Sequence, residues 1–279
     1  MIKRLAGLLK GSPQHPVGPD GRMALSDHMR ELRARILRST LVVVIAFGVA
    51  LYFYEDLYQL ILRPYEEARK NLPSGTRSEP VLNGVTAGLT FQLKLCGLAA
   101  LVGSSPYWLY QIWAFIVPGL HPNERKWTRI FAAIAGPLFF LGVAVGYYVL
   151  PKAITVLIGF TPADVTNLVE FTQFFSFISR MLLIFGIAFE IPLFVIMLNL
   201  AGVVSGRALG RYRPWIIIGT FVFAAVGTPS TDPFSMLFLA IPMLLLFLLA
   251  EVIARLVDRA RGRGRDSTDQ WADDEVSPL

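Results

Sequence analysis

Six apolar segments separated by short polar stretches dominate this 279-residue chain. A helix of about 20 apolar residues crosses the roughly 30 Å hydrocarbon core of a bilayer. Charged residues make up only 16% of the chain, too few to coat a water-soluble particle of this size. Both features predict an all-α integral membrane protein with six transmembrane helices. The predicted spans are residues 36–58, 89–117, 127–150, 171–200, 213–228 and 234–250.

The last two spans are predicted to be short. The fifth offers only about 20 Å of apolar helix, which favours a span in locally thinned membrane over a re-entrant loop. Four prolines lie within the spans, and each removes a backbone hydrogen bond and tends to bend its helix. We therefore expect a bent, concave, bowl-like bundle. The prolines are Pro106, Pro137, Pro192 and Pro242.

The positions of lysine and arginine predict the orientation of the spans. If the N-terminus is cytoplasmic, eighteen of these residues fall in inside segments and five in outside loops. Arg38, Lys94 and Arg180 lie at or within the spans. The positive-inside rule then places both termini in the cytoplasm. Because basic residues beside a membrane attract anionic lipid, the net charge of +6 needs no nucleic-acid partner.

The sequence predicts three regions. Residues 1–24 form a cytoplasmic N-terminal extension without a cleaved signal peptide, and residues 25–256 form the six-helix domain. Residues 257–279 are predicted to be a disordered cytoplasmic tail, since they are rich in acidic residues and have little apolar surface to bury. The two longer outside loops, at about 55–88 and 151–170, are expected to be ordered caps with short helical pieces.

An amphipathic helix is predicted to lead into the first span, over residues 26–35. Ser26 or Asp27 can cap this helix. Glu31 and Arg35 are one turn apart, where an intrahelical ion pair contributes a few tenths of a kcal/mol. That structural role is by itself sufficient to explain Glu31.

A second carboxylate, Glu124, follows the plausible N-cap Asn123 in the loop before the third span. The helix macrodipole stabilises an anion in the first turn, so structural and functional explanations are evenly balanced for this residue. Together with Glu31, it places two carboxylates on the predicted cytoplasmic face among many cations.

Glu190 lies within the fourth span, where a carboxylate is costly and marks a functional site by default. Pro192 should free a backbone carbonyl nearby and open the helix. Gln111, at similar depth in the second span, is the predicted partner of Glu190 in an intramembrane polar site. Asp232 is predicted in a tight outside turn, where capping of the sixth helix is the stronger explanation and a functional role the weaker one.

Several classes of active site are excluded. The histidines His15, His28 and His121 all lie outside the predicted spans, so an intramembrane Ser-His dyad has no histidine. A membrane aspartyl protease needs two facing carboxylates, and the predicted spans contain only Glu190. The single Cys96 can form no internal disulfide, and no phosphate loop, dinucleotide fingerprint or zinc-type spacing is present. We expect no enzyme, no cofactor and no metal.

Five groups of residues, in order along the chain, resemble the TatC family, the multispanning receptor subunit of the twin-arginine protein translocase. They are HMRELRAR at 28–35, YQIWAFIVPGL at 110–120, NERK at 123–126, FEIP at 189–192, and TPSTDPF at 228–234 followed by LAIPM at 239–243.

The resemblance implies export of folded precursor proteins across the bacterial cytoplasmic membrane, driven by the proton-motive force. It implies that Glu31 and Glu124 bind the arginine pair of the signal peptide, with Arg33 assisting. Family members often carry a basic residue shortly before the loop glutamate, where this chain has Pro122 and Asn123. The implied partners are TatA- and TatB-type single-span subunits, twin-arginine signal peptides and membrane lipid. A homo-oligomer is left open.

Two alternatives remain open from the sequence. A proton-coupled secondary transporter of a small solute would use Glu190 as its proton site and would show substrate-dependent proton flux in liposomes. A scaffold that only recruits single-span partners would be indifferent to changes at the cytoplasmic carboxylates.

Overall fold

The structure, a computed structural model, describes residues 25–72, 77–116, 124–162, 166–228 and 233–261. Helices make up most of this part of the chain, and two short strands form a parallel pair. The elements are α1 Leu25–Tyr52, α2 Tyr54–Lys70, β1 Arg77–Val81, α3 Ala87–Gly103, α4 Ser105–Ile116, α5 Glu124–Gly159, β2 Thr166–Glu170, α6 Phe171–Leu200, α7 Gly206–Arg211, α8 Arg213–Gly227 and α9 Pro233–Ala260.

The helices agree with the predicted class of multi-span membrane protein. Helices α1, α5, α6 and α9 are each long and apolar enough to cross a bilayer. Helices α3 and α4 pass the same test together and form one broken span with a bend of 54°. Helix α8 is apolar but has only 15 residues, as predicted for the fifth span. Among the described residues these elements correspond to the six predicted segments.

The second span breaks at Ser104, where a proline follows. Pro106 has no N–H to donate to the carbonyl of Val102, and its ring crowds that carbonyl. The indole of Trp108 donates to the carbonyl of Leu101 at 2.9 Å and so satisfies a backbone acceptor exposed at the break. Of the predicted proline bends, this one breaks the helix. The other three prolines lie inside helices that continue through them.

Helix α9 extends beyond the predicted sixth span, because it has 28 residues whereas the span was predicted over residues 234–250. Hydropathy falls at Glu251 and again at Asp258, and for this reason the span was predicted to end at residue 250. Both side chains are buried, at 2% and 8% exposure. Arg213 and Arg255 pair with Glu251 at 2.8 and 2.7 Å, so the helix carries these charges without interruption. The first residues of the predicted tail therefore belong to α9.

The predicted outer loops contain both expected and unexpected elements. Helix α2 is the expected helical piece, whereas the parallel pairing of β1 with β2 was not predicted. The hydroxyl groups of Tyr65 and Ser78 are 2.9 Å apart and join α2 to β1. Helix α5 continues through Pro151, so the second outer loop begins later than predicted. Strands this short, one containing Pro80, leave too few residues for a period-two pattern to be recognised.

Glycines allow α5 and α6 to pack at close range. A Cβ on Gly142 would lie 2.5 Å from the carbonyl oxygen of Phe185, and one on Gly146 would lie 3.0 Å from the Phe185 side chain. On the other helix of the pair, α6, a Cβ on Gly186 would lie 2.6 Å from the ring of Phe139 on α5. Small residues allow helix backbones to approach in this way inside membranes. Gly142 and Gly146 therefore serve the close packing of these two helices.

We expect Gly142→Ala to destabilise the bundle by about 1–3 kcal/mol, the usual cost of overpacking a close contact. The new methyl group would meet a backbone carbonyl that cannot rotate away. The measurement is unfolding in detergent, with Gly48→Ala as the matched control, because nothing lies within 4 Å of a Cβ at that position of α1. Equal stability of the two variants would contradict the described packing.

Candidate functional site: a polar cluster at the start of the first span

Glu31 and Arg35 form the predicted ion pair on the first turns of α1. The Nε of Arg35 donates to Oε1 of Glu31 at 2.9 Å, and Nη2 donates to the same oxygen. The second oxygen of Glu31, Oε2, accepts no hydrogen bond from any residue that the structure describes. The Glu31 side chain is 25% exposed, so this oxygen is open to a further donor.

Gln111 joins this pair from α4. Its Oε1 accepts a hydrogen bond of 3.2 Å from Nη1 of Arg35, and the residue is only 4% exposed. The predicted pairing of Gln111 with Glu190 is therefore wrong. Successive residues of a helix turn by about 100°, so Gln111 and Trp113 point to nearly opposite sides of α4. The side of Trp113, not that of Gln111, faces α6 and Glu190.

Two further contacts fix the start of α1. The His28 ring stacks on Phe115 of α4, with centroids 4.3 Å apart and an interplanar angle of 17°. Asp27, predicted as a cap, accepts a hydrogen bond of 2.7 Å from Arg30. The cluster that we call the inner polar site, Glu31, Arg35 and Gln111, is thus held between two helices that are docked together.

Of the remaining predicted site residues, the structure describes the side chain of Arg33 but not those of Glu124 and Asp232. Arg33 is exposed and lies about 200° around α1 from Glu31, so the two side chains leave the helix on opposite sides. Glu124 is the first residue of α5, but its side chain lies outside the described part of the chain. Asp232 also lies outside it.

Glu190 lies within α6, enclosed by the bundle. Neither carboxyl oxygen has a well-formed hydrogen bond to a residue that the structure describes, and the indole of Trp113 is the polar group beside them. The Trp113 ring packs in parallel on Phe131 of α5 at 5.4 Å. Helix α6 is continuous through Pro192, so the predicted local opening is not observed. An enclosed carboxyl group without an ionic partner is the feature expected of an intramembrane functional site.

Sequence reasoning missed a second polar cluster, at the end of α9. Asp258 accepts from Asn199 Nδ2 at 2.9 Å and from the backbone N–H of Gly206 at 2.6 Å. Glu251 accepts two hydrogen bonds from Arg213, at 3.1 and 2.8 Å. The sequence contains a signal for this cluster, because the charged residues at 251, 255 and 258 have the spacing that places them on one face of a helix. No group of three or more His, Cys, Asp or Glu able to hold a metal occurs among the described residues.

These features define a multi-pass α-helical membrane protein with one broken span and a polar cluster where its first helix meets its second span. The family model described as "Sec-independent protein translocase protein (TatC)" matches residues 27–242. The chain belongs to the TatC family and is a component of a twin-arginine protein translocase. The resemblance seen in the sequence is thereby confirmed.

Relatives and solved structures agree with this assignment. A Sec-independent protein translocase protein TatC of Frankia casuarinae is 41% identical over 273 residues, which cover 93% of this chain and 74% of the relative. The protein of the same name from Escherichia coli is 33% identical over 87% of this chain and 92% of its own length. A crystal structure of the twin arginine translocase receptor TatC in DDM aligns with a TM-score of 0.71 at 30% identity, covering 81% of this chain and 99% of the other.

Proposed function

We propose that this chain is the receptor of the translocase, and that Glu31 and Glu124 bind the paired arginines of the signal peptide of folded precursors. The observation that carries the proposal is the inner polar site itself. There, a guanidinium group of the chain's own Arg35 already binds Glu31 through two nitrogens. The carboxylate is therefore positioned to accept an arginine, and one of its oxygens is still open.

Arg35 and Gln111 act as positioning residues in this proposal. Gln111 binds the Nη1 of Arg35, which keeps both other nitrogens of the guanidinium on Oε1 of Glu31. An incoming arginine then approaches Oε2 without displacing Arg35. A guanidinium donates through a planar fork that a carboxylate accepts with defined geometry, whereas lysine is a point charge without that geometry. The pair of carboxylates would thus select arginine over lysine.

The rest of the proposal concerns the membrane. Both termini face the cytoplasm, the membrane is the bacterial cytoplasmic membrane, and the proton-motive force drives a complex with TatA- and TatB-type single-span subunits. The apolar part of the signal peptide lies against the wall formed by α4 and α6, near Trp113 and Glu190. The positive-inside count and the enclosed carboxyl group support these assignments.

The direct test is binding of a fluorescent signal peptide to the purified protein in nanodiscs. We expect a peptide with two adjacent arginines to bind at least about tenfold more tightly than the same peptide with two lysines, because lysine keeps the charge but loses the second hydrogen bond of the guanidinium fork, and a hydrogen bond to a charged group contributes about 1.5–3 kcal/mol. A scrambled peptide of the same charge is the control. Equal affinity of the arginine and lysine peptides would refute the proposal.

One observation favours a second function, transport coupled to protons. The Glu190 carboxyl group lacks an ionic partner within the described bundle, as a proton site requires. A transporter would show substrate-dependent proton flux across liposomes that contain this protein alone, and Glu190→Gln would abolish that flux. Absence of flux in the wild-type protein would eliminate this alternative.

A further inference from the structure

A pocket between α3 and α6 contains two cations that the proposed receptor function does not use. Its volume is about 280 Å³, and Lys94 of α3 and Arg180 of α6 both line it. Most of the remaining lining is apolar, with Leu98 on one helix and Leu183 on the other. The pocket lies away from the inner polar site, since it is formed by the outer parts of both helices.

The depth of the two cations makes their charge costly. Lys94 is seven residues after the start of α3 at Ala87, and Arg180 is nine residues after the start of α6 at Phe171. At about 1.5 Å per residue, they lie roughly 10 and 14 Å below the outer ends of these helices. Ionised side chains at such depth are rare and normally pair with an anion or line a polar cavity.

Neither cation finds an anion in the described part of the protein. The ion pairs found there involve other arginines, and Lys94 and Arg180 take part in none of them. Two serines also line the pocket, but their hydroxyl protons are already used. Ser176 donates to a backbone carbonyl of its own helix at 2.8 Å, and Ser179 does so at 2.7 Å. Their oxygens are acceptors, so an anion in the pocket would be bound by the two cations.

We propose that this pocket binds the phosphate group of a phospholipid from the outer leaflet. Lys94 and Arg180 donate to its non-bridging oxygens, and the apolar wall receives the glycerol backbone and the first part of an acyl chain. Long basic side chains can extend toward the interface, so the lipid needs to sink only partly into the bundle.

The chemistry distinguishes a lipid from a free phosphate ion. A free ion would satisfy the two cations but would leave the apolar wall of the pocket exposed. A phospholipid satisfies both, because its phosphate is attached to an apolar body. The same reasoning predicts that a diacylglycerol with identical acyl chains, which lacks the phosphate, does not bind.

Native mass spectrometry of the intact protein after exchange into a mild detergent tests this proposal, with phosphatidylglycerol as the probe. We expect the wild-type protein to retain the lipid, and the double variant Lys94→Gln/Arg180→Gln to retain at least tenfold less. The matched control is Arg69→Gln/Lys70→Gln, which removes one exposed arginine and one exposed lysine at the end of α2. The control should retain the lipid as the wild type does.

A charge-preserving variant tests whether loss of lipid in the glutamine variant is due to the lost charges or to misfolding. Lys94→Arg/Arg180→Lys should retain the lipid, and diacylglycerol should not be retained by any form. Millimolar inorganic phosphate should leave the bound lipid in place. Equal retention by the wild type and the glutamine variant would overturn the proposal, and displacement by inorganic phosphate would assign the pocket to a free anion instead.

Discussion

Glu31→Gln is expected to weaken binding of a twin-arginine signal peptide by about 10- to 150-fold. The substitution keeps the size of the side chain but removes its charge, and with it a charge-assisted hydrogen bond worth about 1.5–3 kcal/mol. The glutamine amide keeps one oxygen that can still accept from Arg35, but it presents an NH₂ donor where Oε2 would accept from the incoming arginine. With Glu124→Gln added, specific binding should disappear. Fluorescence anisotropy of a labelled peptide with nanodisc-embedded protein measures both effects.

The matched control is Glu66→Gln, which removes an exposed carboxylate of α2 at the opposite end of the bundle. It changes the net charge by the same amount and should leave peptide affinity unchanged. If Glu66→Gln weakened binding as much as Glu31→Gln, the interaction would be general electrostatic attraction. If neither variant weakened binding, the inner polar site would not be the receptor site.

Asp258→Ala is expected to destabilise the protein by about 3 kcal/mol. Asp258 accepts from the side chain of Asn199 at the end of α6 and from the first N–H of α7, at Gly206. These hydrogen bonds connect α9 to the end of α6 and to the start of α7. Removing it leaves two buried donors without this acceptor, and each such loss costs about 1–3 kcal/mol. The free energy of unfolding in mixed detergent micelles measures the effect.

Two variants complete this experiment. Asp258→Asn keeps one oxygen for one of the donors and should cost about half as much. Asp56→Ala removes an exposed aspartate of α2 and should change stability by less than about 0.5 kcal/mol. Similar losses for Asp56→Ala and Asp258→Ala would show that the second polar cluster does not stabilise this end of the bundle.

The helices themselves followed from hydropathy and periodicity. The predicted fourth span coincides with α6, and the short fifth span is α8. The predicted sixth span ends at residue 250, whereas α9 continues past Glu251, because an apolar scale scores a carboxylate as the end of a span. Arg213, 38 residues earlier in the chain, and Arg255, one turn later on α9, pair with that carboxylate and make it compatible with a continuous helix.

The candidate site was predictable in part. Glu31 and Arg35 were paired correctly, because one turn of helix is a local relation that the sequence contains. Gln111 was assigned to the wrong partner, because depth along a span says nothing about which side of the helix a residue occupies. The Lys94 and Arg180 pocket could not be predicted either, since it depends on how α3 and α6 are rotated against each other.

The sequence by itself determined that this is a membrane protein and where most of its apolar helices lie. It also determined the family and the ion pair at the start of the first helix. These properties follow from composition, spacing and short motifs, which a linear chain contains in full. The tertiary structure alone decided which polar groups meet across helices: Arg35 with Gln111, Glu251 with Arg213, and Asp258 with Asn199. The physical reason is that a buried polar group needs a partner, and packing brings that partner from a distant part of the chain.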